Sequence, residues 1–158
     1  VEVLKSFNPL LEAQCILGME EKEYVATSFM AFEKGHPLVK EFLNLYEQLS
    51  FLDKKGQIIA GTNVAKLTKM LKEKGFVQEN HYQELENGIQ IYPKEFFSPY
   101  DYINCHYNIT ENSYCVHYFA VSWMSKKEQV KKEIKKRIVK ILGPEKMNEI
   151  REKLWKKN

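Results

Sequence analysis

Residues 24–37 read YVATSFMAFEKGHP, and inside that stretch the hydrophobic pattern changes its period. The short apolar runs CILGME (15–20) and YVATSFMAFE (24–33), parted by the charged EKE at 21–23, are of strand type. Gly35-His36-Pro37 ends the extended pattern, and a proline belongs in a first helical turn, where its missing N–H is no loss. Leu38, Phe42, Leu45 and Leu49 then recur at helical spacing, so PLVKEFLNLYEQL predicts a helix with one buried face. Strand period giving way to helix period within so few residues points to a mixed α/β domain.

The rest of the chain keeps that mixture. Thr62 is a natural N-cap for a second helix striped by Val64, Leu67, Met70 and Leu71 and stopped by Gly75. Asn87-Gly88 between YQELE and IQIYP predicts a hairpin of two short strands, closed by Pro93. KEFFSPYDY reads as an aromatic loop. TENSYCVHYF reads as a further strand, with Tyr114, Val116 and Tyr118 on an inward face and Cys115, His117 and Phe119 on the other. Val130, Ile134, Ile138 and Ile141 stripe a lysine-rich helix, Gly143-Pro144 breaks it, and Met147, Ile150 and Leu154 stripe a last short one.

At 158 residues one domain is the default, and 44% hydrophobic with 28% charged residues excludes a disordered chain. No apolar run approaches bilayer-spanning length, and the opening residues do not read as a signal peptide. Three cysteines make no disulfide framework, which fits a reducing compartment. The charge is uneven: residues 126–158 carry 13 Lys/Arg against 5 Asp/Glu, and residues 1–125 carry 11 against 16. The expectation is an acidic body over 1–125 and a basic amphipathic helical tail over 126–158. Such a tail is either a set of solvated helix faces or a contact for an anionic membrane surface, and Trp155 leans towards the membrane. Nucleic acid is not expected as a partner, because no recognition module or stacking platform accompanies the lysines.

Few residues have the spacing that chemistry needs. Cys105-His106 with Cys115 and His117 could be imagined as a zinc cluster, but adjacent ligands reach one ion poorly and no C-x-x-C pair occurs. Ser28 and Ser122 lack a G-x-S-x-G elbow, and there is neither a Walker loop nor a dinucleotide fingerprint. His36 reads as a turn residue and His81 as a surface one. His117 with Ser122 and Trp123 stands out, yet from the residues alone it fits both a core strand and the wall of a site.

Five segments in order carry a resemblance: VEVLKSFNPLL, FMAFEKGHPLVKEFL, GTNVAKLTKML, IQIYPKEFFSP and ITENSYCVHYFAVSW. Over residues 1–124 the chain resembles the glycosyltransferases with a DxD-containing sugar-binding region, which include capsular-polysaccharide and mannosyl-chain enzymes. The strongest pieces are EKGHP (33–37), IYP-x-x-F-F (91–97) and H-x-x-x-x-SW (117–123).

The resemblance implies a GT-A type α/β fold that moves a sugar, with retention, from a nucleotide-sugar donor to a saccharide or lipid-linked acceptor. It implies a divalent metal, Mn²⁺ or Mg²⁺, held by the DxD carboxylates against the donor diphosphate. In the family that pair stands just before the segment matched by Val1-Glu2-Val3. The chain is therefore expected to be the C-terminal half of such an enzyme, inactive alone, working in the cytoplasm at the inner face of the membrane. By the same resemblance His117 is a metal ligand or diphosphate contact, Ser122 and Trp123 face the donor, and Thr62 and Asn63 face the acceptor. No general base is named, since the leaving phosphate can take the acceptor's proton.

Overall fold

The computed structural model describes residues 1–20, 23–47, 49–50, 52, 54–56, 62–101, 104–118, 125–143, 145–147 and 149–150. Among them is a four-stranded mixed sheet in the order β3-β2-β5-β4. It is built from β2 (Cys15–Met19), β3 (Val25–Phe32), β4 (Gln83–Leu85) and β5 (Ile89–Tyr92). β2 runs antiparallel to β3 and parallel to β5, and β4 closes antiparallel on β5. The remaining strands form two small ribbons, β1 (Glu2–Val3) with β8 (Cys115–Val116) and β6 (Tyr100–Asp101) with β7 (His106–Tyr107).

All five residues of β2 are buried because this strand is covered on both faces. Cys15, Leu17 and Met19 point to a core shared with Val25, Leu38, Leu67, Leu71, Ile89 and Ile91. That side is roofed by α1 (Pro37–Glu47) and α2 (Asn63–Lys72), whose Leu38, Leu67 and Leu71 supply the buried stripe. Ile16 points the other way, into an aromatic layer with Phe97, Cys115, Phe29, Tyr92, Phe96 and Tyr114. Gly18 lies on that second face, where an added Cβ would stand 2.7 Å from the ring of Phe97. The period of two along β2 thus feeds two cores, and the domain has helix, sheet and aromatic layers.

Local signals did their expected work at several joints. Thr62 is extended and its Oγ1 accepts from the Ala65 N–H at 3.2 Å, capping α2. Gly75, at φ +97°, ends the chain's run out of that helix. Asn87 and Gly88 both take positive φ in the β4–β5 turn, as the Asn-Gly pair predicts. His36 is buried and structural: its Nε2–H donates to the Asn87 carbonyl at 2.9 Å, and its Nδ1 accepts from the Leu38 N–H at 3.3 Å. It ties the start of α1 to the hairpin.

Other expectations need correction. α1 buries Leu38 and packs Phe42 on the core, but it ends at Glu47, and Leu45 in its last turn and Leu49 beyond its end are exposed. KEFFSPYDY is not a loop on the surface. Lys94–Phe97 forms a short helix, α3, and Phe97, Ser98 and Tyr100 are buried. Phe97 stacks on Phe29 with centroids 3.8 Å apart and planes 6° apart, which makes it the centre of the aromatic layer. The strand expected over TENSYCVHYF shrinks to β8, two residues long, since β1 offers only two partners. Lys126–Leu142 form a helix, α4, and its apolar stripe is not the side that packs inward.

Candidate functional site

β8 is held in place by the first residues of the chain. Glu2 pairs with Val116 and Val3 with Cys115, the Leu4 N–H donates to the Tyr114 carbonyl at 2.8 Å, and Lys5 Nζ donates to the Glu111 carbonyl at 2.6 Å. The Lys5 ammonium also lies 4.1 Å from the centre of the Tyr114 ring. Both residues of β8 are buried, Cys115 with its thiol 3.6 Å from the Phe97 carbonyl. Burial raises that thiol's pKa, so Cys115 belongs to the aromatic layer as a small hydrophobe and hydrogen-bond donor.

His117 follows directly and is half-buried beside the leading end of the chain. Its pKa is lowered, first by burial and second by the nearby Val1 ammonium. The ring is therefore neutral at pH 7 and offers one N–H and one lone pair. A neutral imidazole can donate to a phosphate oxygen or ligate a metal without first losing a proton.

Tyr118 does not pack inward as its position on the expected strand suggested. It is exposed, and its hydroxyl donates to the Glu2 carboxylate. Tyr118 also meets Tyr107 edge-on, and Tyr107 lies 4.7 Å from Tyr100. These three tyrosines with Gln129, Lys132, Glu133 and Lys136 of α4 line a cleft of about 270 Å³. The Lys132 pKa is lowered by burial and by its neighbour Lys136, while an ion pair of 2.9 Å with Glu133 holds Lys136 charged. Phenol and ammonium donors around one opening suit an anionic group. Sequence reasoning missed this wall, because Tyr100, Tyr107 and the α4 lysines converge only through the docking of α4.

The remaining residues picked from the sequence stand apart. Thr62 and Asn63 are exposed at the start of α2, where their polar atoms serve the fold. Thr62 caps the helix, Asn63 Oδ1 accepts from the Val64 N–H, and Asn63 Nδ2 donates to Thr27 Oγ1 at 2.8 Å. They stand at the start of α2, whereas His117 follows β8. Ser122 and Trp123 lie outside the described residues, as does Phe119. His81 is exposed, 3.7 Å from Glu79, in keeping with a surface role. Among the described residues no three His, Cys, Asp or Glu side chains come together to hold a metal ion. The residue that the resemblance implies as a metal ligand, His117, is among the described residues.

Comparison of the chain with protein-family models, with curated proteins and with solved structures gave no significant match.

Proposed function

We propose that this chain forms part of a GT-A type glycosyltransferase domain that uses a nucleotide-sugar donor and a saccharide or lipid-linked acceptor. One observation carries the reading beyond the sequence motifs. The β1–β8 register sets Glu2 opposite Val116, so His117 lies beside the very residues that the family pattern puts next to its DxD carboxylates. A register that sent the first strand elsewhere would have separated the two. The mixed sheet with helices over one face agrees with the α/β class but is shared by many folds.

The chemistry asked of such a wall is electrostatic. In a retaining front-face transfer the bond from the anomeric carbon to the donor phosphate breaks, and the bond to the acceptor oxygen forms. The acceptor's proton passes to the leaving phosphate, which gains charge as it departs. A fixed N–H or O–H aimed at that oxygen stabilises the developing charge more than the ground state. On this reading the neutral His117 donates there, Ser122 and Trp123 extend the donor wall, and Thr62 and Asn63 face the acceptor side. The divalent ion would draw its carboxylates from outside the described residues.

The test is to titrate the chain with uridine and guanosine diphosphate sugars while following the His117 imidazole resonance by NMR. A shift that saturates with one donor, and that His117→Ala abolishes together with binding, is the expected result. Carried in an enzyme that also holds the upstream carboxylates, His117→Ala should lower transfer about a hundredfold. Transfer unchanged by that substitution removes His117 from the site.

A further inference from the structure

α4 docks on the body by the wrong side for a typical surface helix. Its half-buried and buried positions are Gln129, Lys132, Lys135, Lys136 and Val139, which lie within one sector of the helix at 100° per residue. Gln129, Lys132 and Lys136 reach the tyrosine cleft, and Val139 is the one apolar residue tucked in, at 5% exposure. The opposite sector holds the aliphatic stripe, and it faces solvent: Val130 is 57% exposed, Ile134 53%, Ile138 40% and Ile141 82%. Apolar groups cluster outward here while the polar side is spent on the protein, the reverse of the usual amphipathic arrangement.

We infer that the outward face of α4 is a docking surface for an anionic lipid bilayer. The helix carries eight Lys/Arg against two Glu over Lys126–Leu142. Lys126 and Arg137 border the stripe on one side, Lys131 borders it on the other, Lys127 stands within it at the first turn, and all four are exposed. A helix about 25 Å long with that profile lies in the bilayer interface, its stripe among the acyl chains and its ammonium groups at the phosphates. No helix among the described residues is long and apolar enough to cross a membrane, so the attachment is to one surface. Charge decides between occupants. A second copy would bring two net-positive helices face to face, and a nucleic acid offers phosphates but no apolar interior for four aliphatic side chains. An anionic membrane satisfies both halves of the face at once.

The experiment is flotation of the chain with vesicles of phosphatidylcholine alone or mixed with phosphatidylserine. Binding is expected with the anionic vesicles at low salt and is expected to weaken as salt rises. Ile134→Asp with Ile141→Asp should abolish it, and Lys127→Glu with Lys131→Glu should weaken it about tenfold or more. These side chains are exposed, so circular dichroism and the thermal midpoint should be unchanged. Absence of flotation with anionic vesicles at low salt overturns the inference, as does equal flotation of the Asp variant. A dimer that the Asp variant converts to monomer, without vesicle binding, assigns the stripe to a second copy and overturns it as well. The salt titration and the lysine variant decide the matter if the Asp variant fails to fold. A chain that floats but ignores nucleotide sugars keeps this inference and loses the transferase reading.

Discussion

Gly18 shows how much one missing side chain can determine. It sits in the central strand with the Phe97 ring against its open face, at a distance where a methyl carbon cannot stand. Gly18→Ala must push Phe97 away from Phe29 or bend β2, and overpacking of that kind costs about 1–3 kcal/mol. Urea denaturation should show the loss, and Phe97→Leu in the same background should recover part of it by making room. His117 gives a different prediction at the same scale. Its folded-state pKa lies below the unfolded value near 6.5, because burial disfavours the imidazolium. The unfolded chain then binds the proton more tightly, so this contribution to stability is complete above the unfolded pKa and is lost as pH falls through the folded one. Denaturation midpoints should decline more steeply for the wild type than for His117→Gln as the medium is acidified below about pH 6.5. Equal slopes would mean that the ring is not desolvated in the fold.

Elements were legible where their signals are local. The start of α2 could be read because Thr62 and the positions that follow carry both the cap and the stripe, and the β4–β5 turn because Asn-Gly is a hairpin pair by itself. Thr62→Ala should therefore cost about 1 kcal/mol in urea denaturation, with Thr62→Ser restoring most of it. That result reports the cap; an effect on acceptor binding kept by Thr62→Ser but lost in Thr62→Ala would report the expected acceptor role on top of it. Where the outcome depends on a distant partner, the sequence misled. Pro93, Ser98 and Pro99 around KEFF look like loop punctuation, and nothing in that segment tells that Gly18, far back in the chain, has left a slot for Phe97. Alternation over TENSYCVHYF is real, yet a strand is only as long as its partner, and β1 is short. The α4 period was plain, but period names a stripe without naming the side that docks. His117 was visible as a residue and became a candidate through the motif order, whereas the tyrosine and lysine cleft needed three segments to meet.

At the scale of the whole molecule, the β8 side of the aromatic layer rests on the leading residues. β1 is exposed and brings little burial of its own, but it pairs with β8, whose Cys115 and Val116 are fully buried, and Lys5 and Glu2 add contacts to Glu111, Tyr114 and Tyr118. The three thiols report on this arrangement at different depths. Cys15 lies in the central strand with its pKa pushed up to about 12 by burial, Cys115 is covered by β1 and α3, and Cys105 is half-buried in the β6–β7 connection. Thiolate is the reactive form, so labelling under native conditions should reach Cys105 first and leave Cys15 and Cys115 to the unfolded state. Removing residues 1–5 takes away the partner of β8 while leaving the four-stranded sheet paired. Pulse labelling followed by peptide mass spectrometry should then find Cys115 modified nearly as fast as Cys105, with Cys15 still waiting for global unfolding. Protection of Cys115 that survives the deletion would place its cover in the Phe97 layer alone. It would also mean that pairing with β1 is not what holds the strand leading into His117 in place.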